Sequence, residues 1–377
     1  MIDYPTTFFE LGVQKNMKSI IPGLIDDLGR ECLIRIPYQE LPTAISVSKT
    51  WESEIRSPEF RRLRKSSGVT RPVIVLAQAK SDDPNTSPDQ EAKQHATRPI
   101  YRLTASDAVS GTWTELPEIP GLPAGLPVFC GVVGVGSDLV VMGGWDPVTL
   151  QASSSVYVYS CLSGQWRRGS DMPGVKRSFF GCASDTNRTV LVAGGHDEDK
   201  NALRSALLYD VAQDKWVALD DMAKERDECK VIFHRGMFHV ISGYPTENQG
   251  CFERSAEAFD PATWQWGPVI EDFLETSALG SCVAGPDDRV YACLGRRSGD
   301  VAVQQGDKWR VVAKVPPEVR SSQWVITYGD TLMVIGSPKI GRVYEGYMLD
   351  LKSYKWNKID MPEEFCGHVQ SGCVMEL

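Results

Sequence analysis

Apolar side chains along this chain fall into short, strand-length runs bounded by glycine and polar residues, and the runs recur in units. Trp113, Trp166, Trp216, Trp266, Trp309 and Trp356 mark the period. It is roughly fifty residues, which suits propeller blades rather than helical solenoids. Six residues ahead of Trp113, Trp216, Trp266 and Trp356 stands an aspartate (Asp107, Asp210, Asp260, Asp350). Seven ahead of Trp166, Trp216, Trp266 and Trp356 stands a large apolar residue (Tyr159, Tyr209, Phe259, Leu349). This spacing predicts a strand, a tight turn and a second strand that opens on tryptophan. Upstream of these hairpins, Leu139 to Gly144, Val190 to Gly195 and Phe238 to Gly243 read as strands ending in small residues. Glycine there permits positive φ and close backbone approach. One more apolar stretch ahead of each, such as Phe179 to Ala183 or Val231 to Phe233, completes four strands per unit.

A Gly-Gly doublet, a Tyr/Phe-Asp pair and a tryptophan six residues past the aspartate together resemble the kelch repeat, most closely in the units that end at Trp166, Trp216 and Trp266. The fifth unit departs from the pattern. Tyr291-Ala292-Cys293-Leu294-Gly295 has no doublet and Val303 takes the aspartate's place, while the sixth offers Val334-Ile335-Gly336-Ser337. The first unit has its second strand at Val73 to Ala77 and its third around Ile100 to Leu103, with no first strand ahead of them. A spare strand at the far end, 368–376, fits that vacancy. The expected fold over 70–377 is therefore an all-β, six-bladed kelch β-propeller closed by its C-terminal strand, since an open ring would leave strand edges unpaired.

Six such units take up roughly 300 of the 377 residues, and the remainder lies at the N-terminus. A net charge of −9 disfavours a general nucleic-acid binder, because attraction to phosphate needs clustered Lys and Arg. No apolar run is long enough for a membrane-spanning helix, and the first residues lack the basic and apolar segments of a secretory signal. Most of the ten cysteines (Cys130, Cys182, Cys229, Cys282 and Cys293 among them) fall inside predicted strands without paired spacing. Reduced thiols in an intracellular protein, cytoplasmic or nuclear, are expected rather than disulfides. Residues 80–97 are polar and free of aromatics, and are expected to form a disordered loop within the first blade; 1–19 are expected to be a flexible extension.

The β pattern is absent from 20–65. Asp26 and Asp27 precede an amphipathic run through Leu28, Cys32, Leu33 and Ile36, stopped by Pro37. A second run covers Leu41, Ile45 and Val47, a third surrounds Trp51 and Ile55, and Pro58 opens a basic helix from Phe60 to Lys65. So small an all-α module buries little apolar surface alone, and a partner is physically expected. Ile21-Pro22-Gly23-Leu24-Ile25-Asp26-Asp27-Leu28, Cys32-Leu33-Ile34-Arg35-Ile36-Pro37 and Val47-Ser48-Lys49-Thr50-Trp51 resemble an F-box, with Ile21-Pro22 for its usual Leu-Pro and Ser48 for its usual cysteine. The resemblance implies docking onto a Skp-type adaptor, and through it onto a cullin and a RING subunit. Pro22, Leu24, Leu28, Leu33, Ile36, Pro37 and Val47 would supply adaptor-facing or locally supporting contacts, and Trp51 would fill the module's own core.

Met172 to Asp185, Val192 to Asn201 and Glu225 to Lys230 are similar to one plant subgroup of kelch F-box proteins, the KISS ME DEADLY group, which overlaps those that target phenylalanine ammonia-lyase. The similarity runs from about Met17 to the end of the chain. It implies ubiquitin-dependent turnover of phenylalanine ammonia-lyase, which would restrain phenylpropanoid synthesis, or of type-B response regulators, which would restrain cytokinin signalling. The other reading is a kelch scaffold without ubiquitination.

Catalysis finds little support in the residues. No metal-ligand spacing surrounds His234, His239 or His368, no G-x-S-x-G or phosphate loop occurs, and no cofactor is expected. Recognition fits the loops better. Trp145, His196, Tyr244 and Arg296 fall on loops between second and third strands, and Arg177, Arg226 and Arg320 fall on loops between blades; alternate turns of a meander share a face. These seven are the candidate target-binding residues. The three arginines would favour an acidic or mixed-charge target, but their matching positions would equally suit pairing with carboxylates of neighbouring blades.

Overall fold

Four short helices, two of them with serine-capped starts, build the first unit. In the computed structural model, which describes residues 19–80, 99–277, 279–285, 287–294, 299–339 and 342–377, the chain divides into two compact units between Thr70 and Arg71. The expected flexible extension (1–19, apart from Ser19), the expected disordered loop (80–97, apart from Lys80) and Arg296 lie outside the described residues.

The helical unit contains α1 (Asp26–Ile34), a 3-10 turn (Tyr38–Glu40), α2 (Leu41–Val47), α3 (Lys49–Ile55) and α4 (Pro58–Ser66). Ser48 and Ser57 cap α3 and α4 by accepting from the Trp51 and Phe60 amides, each at 3.1 Å. Leu33, Ile34, Leu41, Ala44, Ile55 and Phe60 form its interior. Helix α1 ends at Ile34, short of the expected Ile36. The reason lies in α4, where buried Arg64 donates to the carbonyls of Ile34 at 2.7 Å and Ile36 at 2.6 Å. Those donations satisfy carbonyls that a helix end leaves open. Trp51, expected inside, is half-buried, with its indole N–H donating to the Ile20 carbonyl at 2.8 Å.

The second unit is a six-bladed propeller. Its strands are β1 (Pro72–Ala79), β2 (Tyr101–Asp107) and β3 (Trp113–Glu115) in blade 1, then β4 (Gly131–Val135), β5 (Asp138–Met142), β6 (Val156–Ser160) and β7 (Gln165–Gly169) in blade 2. Blade 3 has β8 (Gly181–Ser184), β9 (Thr189–Ala193), β10 (Ala206–Asp210) and β11 (Lys215–Ala218); blade 4 has β12 (Lys230–His234), β13 (Met237–Ile241), β14 (Ala256–Asp260) and β15 (Gln265–Trp266). Blade 5 has β16 (Leu279–Ala284), β17 (Val290–Leu294), β18 (Asp300–Gln305) and β19 (Lys308–Lys314). Blade 6 has β20 (Ser321–Tyr328), β21 (Thr331–Ser337), β22 (Glu345–Asp350) and β23 (Trp356–Ile359), and β24 (Val369–Glu376) ends the chain.

Each blade is a four-stranded antiparallel sheet, and β24 supplies the innermost strand of blade 1 in the order β24-β1-β2-β3. It pairs Val73 with Met375 and Val75 with Cys373, and bulges at Ala77/Gln78. Inner strands β24, β4, β8, β12, β16 and β20 neighbour one another in turn, and β20 returns to β24, so the ring is closed.

The tryptophan period has a direct cause. The indole N–H groups of Trp166, Trp216, Trp266, Trp309 and Trp356 donate to carbonyls of Pro117, Ser170, Asp220, Phe273 and Lys314, each 36 to 49 residues back, at 2.7–2.9 Å. Each tryptophan thus ties its blade to the chain leaving the blade before. Trp113, in the blade where the chain ends meet, stacks on Phe365, just ahead of β24, at 5.5 Å. The aspartate six residues earlier caps the hairpin turn. Asp107 accepts from the Val109 and Ser110 amides and Asp350 from those of Lys352 and Ser353, an Asx-turn in both cases.

Candidate functional site

In blades 2 to 4, loops from two places in the repeat meet on one face of the propeller. Bridges Val128↔Trp145, Ser178↔His196 and Asp227↔Tyr244 join the second-to-third-strand loops of blades 2, 3 and 4 to the connections that enter those blades. The glycine doublets make this approach possible. A Cβ on Gly144 (φ +83) would lie 2.6 Å from the Val128 carbonyl oxygen, and one on Gly195 (φ +81) would lie 2.3 Å from that of Ser178. Both sites demand glycine for its conformation as well as its size.

The arginines of this face depart from the expectation that they reach a target. Arg226 is 1% exposed and Arg177 is 2% exposed. Arg226 donates from Nε to Glu257 Oε1 at 3.0 Å, from Nη1 to the Ser242 and Ser255 carbonyls, and from Nη2 to Ser255 Oγ. Glu257, equally buried, also accepts from the Ala223 amide at 2.7 Å. Arg177 repeats the pattern in blade 3, donating to the Gly194 and Ser205 carbonyls and to Ser205 Oγ. Leu207 opens the second position of β10 where Glu257 opens that of β14, so Arg177 lacks the carboxylate. Its Nε is buried without a partner among the described residues, and burial pulls its pKa down to about 10. Each arginine holds the small-residue end of its blade's second strand, Gly194 in blade 3 and Ser242 in blade 4, to the blade entry from inside, and both are corrected to struts. Arg320 is not their equivalent: it is exposed, ends a 3-10 turn (Pro317–Val319), and donates from Nε to the Val315 carbonyl at 3.3 Å.

The remaining candidates join into a track across blades 2 to 4. Half-buried Trp145 donates its indole N–H to Ser178 Oγ. His196 is buried, with Nδ1 2.8 Å from Asp227 Oδ2. Tyr244 donates its hydroxyl to Glu228 Oε1 at 3.0 Å and meets Phe252 edge-on at 5.1 Å. Burial, then the carboxylates of Asp227 and Glu228, push the Tyr244 phenol well above its ordinary pKa, so it stays a donor.

Two residues outside the sequence-based candidates complete the track. Phe129, 39% exposed, and Phe179 lie 4.4 Å apart between ring centroids, each packs against Trp145 at 5.5–5.6 Å, and Phe179 stacks on His196 at 5.3 Å. Phe129, Phe179 and Glu228 hold the same place ahead of β4, β8 and β12, each with left-handed φ (59, 54 and 52). Non-glycine residues in that region store strain of order 1–3 kcal/mol, which the surrounding packing must over-determine. The sequence signal was the repeat position itself, hidden because Phe179 reads as part of an apolar strand that in fact begins at Gly181.

Histidines, cysteines and carboxylates stay dispersed among the described residues. No group of His, Cys, Asp and Glu among the described residues could hold a metal ion. All ten cysteines are free, and Cys130, Cys182, Cys282, Cys293 and Cys373 have thiol pKa values raised by burial, which suits packing more than reactivity. No described helix is long and apolar enough to cross a membrane.

In the helical unit, Leu24, Leu28 and Val47 are exposed, with Leu28 at 53% and Val47 at 60%, as is Ile25 beside them. Pro22 and Pro37 are exposed too, Ile36 is half-buried, and Leu33 is an interior residue.

A small helical unit that leaves apolar side chains in solvent, together with a closed propeller whose loops build an aromatic face, defines a modular binding protein. Residues 127–173, which include blade 2, match the Kelch motif. F-box/kelch-repeat protein At1g80440 of Arabidopsis thaliana is 50% identical over 366 residues, covering 95% of this chain and 99% of the relative. F-box/kelch-repeat protein At1g15670 of the same plant is 45% identical over 365 residues, with the same coverage. A third Arabidopsis thaliana relative, F-box/kelch-repeat protein At2g44130, is 38% identical over 282 residues, 69% of this chain and 68% of its own length. The chain belongs to the F-box/kelch-repeat protein family.

Proposed function

We propose that the chain is the substrate-recognition subunit of a Skp-cullin-F-box ubiquitin ligase, without catalytic chemistry of its own. The observation that carries this reading is the exposure of Leu24, Ile25, Leu28 and Val47 on a unit of four short helices. Exposed aliphatic residues so concentrated in a small folded unit call for a covering partner, and F-box proteins generally bind Skp-type adaptors. Pro22 and Pro37 would join that contact, with Leu33 and Ile36 supporting it from within or at its edge. The propeller then holds the target on the face built from Trp145, His196 and Tyr244, with Arg320 and, on its sequence position alone, Arg296 as further contacts.

The proposed target is phenylalanine ammonia-lyase or a type-B response regulator, in the cytoplasm or nucleus, on the strength of the stretches similar to the KISS ME DEADLY group. Induced expression of the chain should shorten the half-life of one of these proteins in a proteasome-dependent way. The Leu24→Asp/Leu28→Asp variant should leave that half-life unchanged. Unaltered half-lives of both proteins under the wild-type chain would remove them as targets, and the reading as a scaffold without ubiquitination gains if the chain captures either one without shortening its life.

A further inference from the structure

With Arg177 and Arg226 turned inward, the charge of the recognition face reverses from the expectation. Around the aromatic track, Glu198, Asp199 and Glu247 are exposed, and Asp197 and Glu228 are half-exposed. Nearby cations are mostly spent within the loops: Lys224 pairs with Glu253 and Glu271, Arg204 with Asp221, and Arg254 with Asp272. Lys176 and Lys200 are the other exposed cations of these loops. The carboxylates surround an apolar platform. Phe129, partly exposed, packs beside Trp145 and Phe179, and Val148 and Val175 are exposed on loops of the same face. Phe129 and Phe179 are held there in left-handed backbone conformations, a cost that packing sustains and that clusters at binding sites.

We infer that this face holds an extended basic segment of the target protein. An apolar or aromatic side chain of the segment seats on Phe129, Trp145 and Phe179, and its Arg or Lys side chains reach Glu198, Asp199 and Glu228. Guanidinium groups gain twice from such a surface, by forked pairing with carboxylates and by stacking over exposed rings. An acidic segment would meet like charge at Asp197, Glu198 and Asp199, as would a nucleic acid. A second copy of the chain, with net charge −9, is disfavoured for the same reason. This inference rests on the reading of the chain as a receptor and names the chemistry of what it receives.

The test uses the full chain and fluorescence anisotropy with three labelled peptides of about twelve residues, long enough at ~3.3 Å per residue to cross neighbouring blades. One alternates Arg with Phe and Leu, one replaces Arg with Glu, and one keeps Arg but replaces Phe and Leu with Ser. The first should bind at least about tenfold more tightly than either of the others and weaken as salt rises. Glu198→Lys/Asp199→Lys should cost it about tenfold, as should Phe129→Ser. Asp307→Lys, on the opposite face in the turn between β18 and β19, should leave it unchanged. If Phe129→Ser lowers the melting temperature, Val175→Ser at a loop tip replaces it, with weaker binding again expected. Equal or tighter binding of the Glu peptide, or equal losses from Asp307→Lys and from the Glu198/Asp199 pair, would overturn the inference. Capture of a Skp-type adaptor, measured in parallel, separates the two claims: adaptor binding without peptide preference refutes this inference alone, while its absence refutes the receptor reading.

Discussion

Arg177 and Arg226 occupy matching places in neighbouring blades, yet their removal should have unequal consequences. Arg226→Ala would strand Glu257 as an uncompensated charge that is 1% exposed. Breaking a buried pair this way typically costs about 3–5 kcal/mol. Arg177→Ala leaves only neutral carbonyls and a hydroxyl without their donor, a loss of about 1–3 kcal/mol. Chemical denaturation of the two variants should therefore separate them by a kilocalorie or more, about one pKa unit's worth of free energy, with Arg226→Ala the weaker fold. Equal destabilisation would mean that Glu257 is satisfied by the Ala223 and Lys224 amides alone. The repeated arginines were legible as a pattern, but their burial was not. Their acceptors lie 16 to 31 residues away, brought close only when the blade forms. Tryptophan and aspartate read more directly, because a turn-capping carboxylate acts within three residues and an indole N–H acts at the repeat distance itself. Phe179 is not legible as a loop residue, because an aromatic at a strand entry reads as part of the strand until its backbone conformation is known.

At the scale of elements, ring closure depends on β24. Its pairing with β1 runs from Pro72↔Glu376 to Gln78↔Val369, and the Arg71 and Leu377 backbones exchange hydrogen bonds at its end. Strand β24 also contributes buried Val369, Cys373 and Met375. Deleting 368–377 would bare the edge of β1 and remove one inner strand from a ring of six. The expected result is aggregation or loss of a single cooperative melting transition; a soluble truncation with unchanged melting temperature would show that the ring holds without it. This closure was legible in the sequence as arithmetic, a blade short of a first strand at one end and a spare strand at the other. The end of α1 was less so, because the Arg64 side chain that takes up its last carbonyls comes from 30 residues further on.

For the whole molecule, composition indicated a charge but not its location. Exposed carboxylates stand beside the proposed recognition face while two of its arginines turn inward, and only the fold reveals that. Family membership was legible in two separate motifs, the Ile21-to-Trp51 stretch and the kelch units. The partner proposed for each unit is argued from what that unit leaves in solvent: aliphatic side chains on the helices, a partly exposed ring and carboxylates on the propeller. The role proposed for the helical unit is to dock a Skp-type adaptor. The most direct measurement is calorimetric titration of purified adaptor into the full chain, wild type and Leu24→Asp/Leu28→Asp. A carboxylate forced into a dry contact loses several kcal/mol, of order a thousandfold in affinity. A saturable one-to-one complex is expected for the wild type and no measurable heat for the variant, with both chains melting alike. Undiminished binding by the variant, or none by a folded wild-type chain, would contradict it.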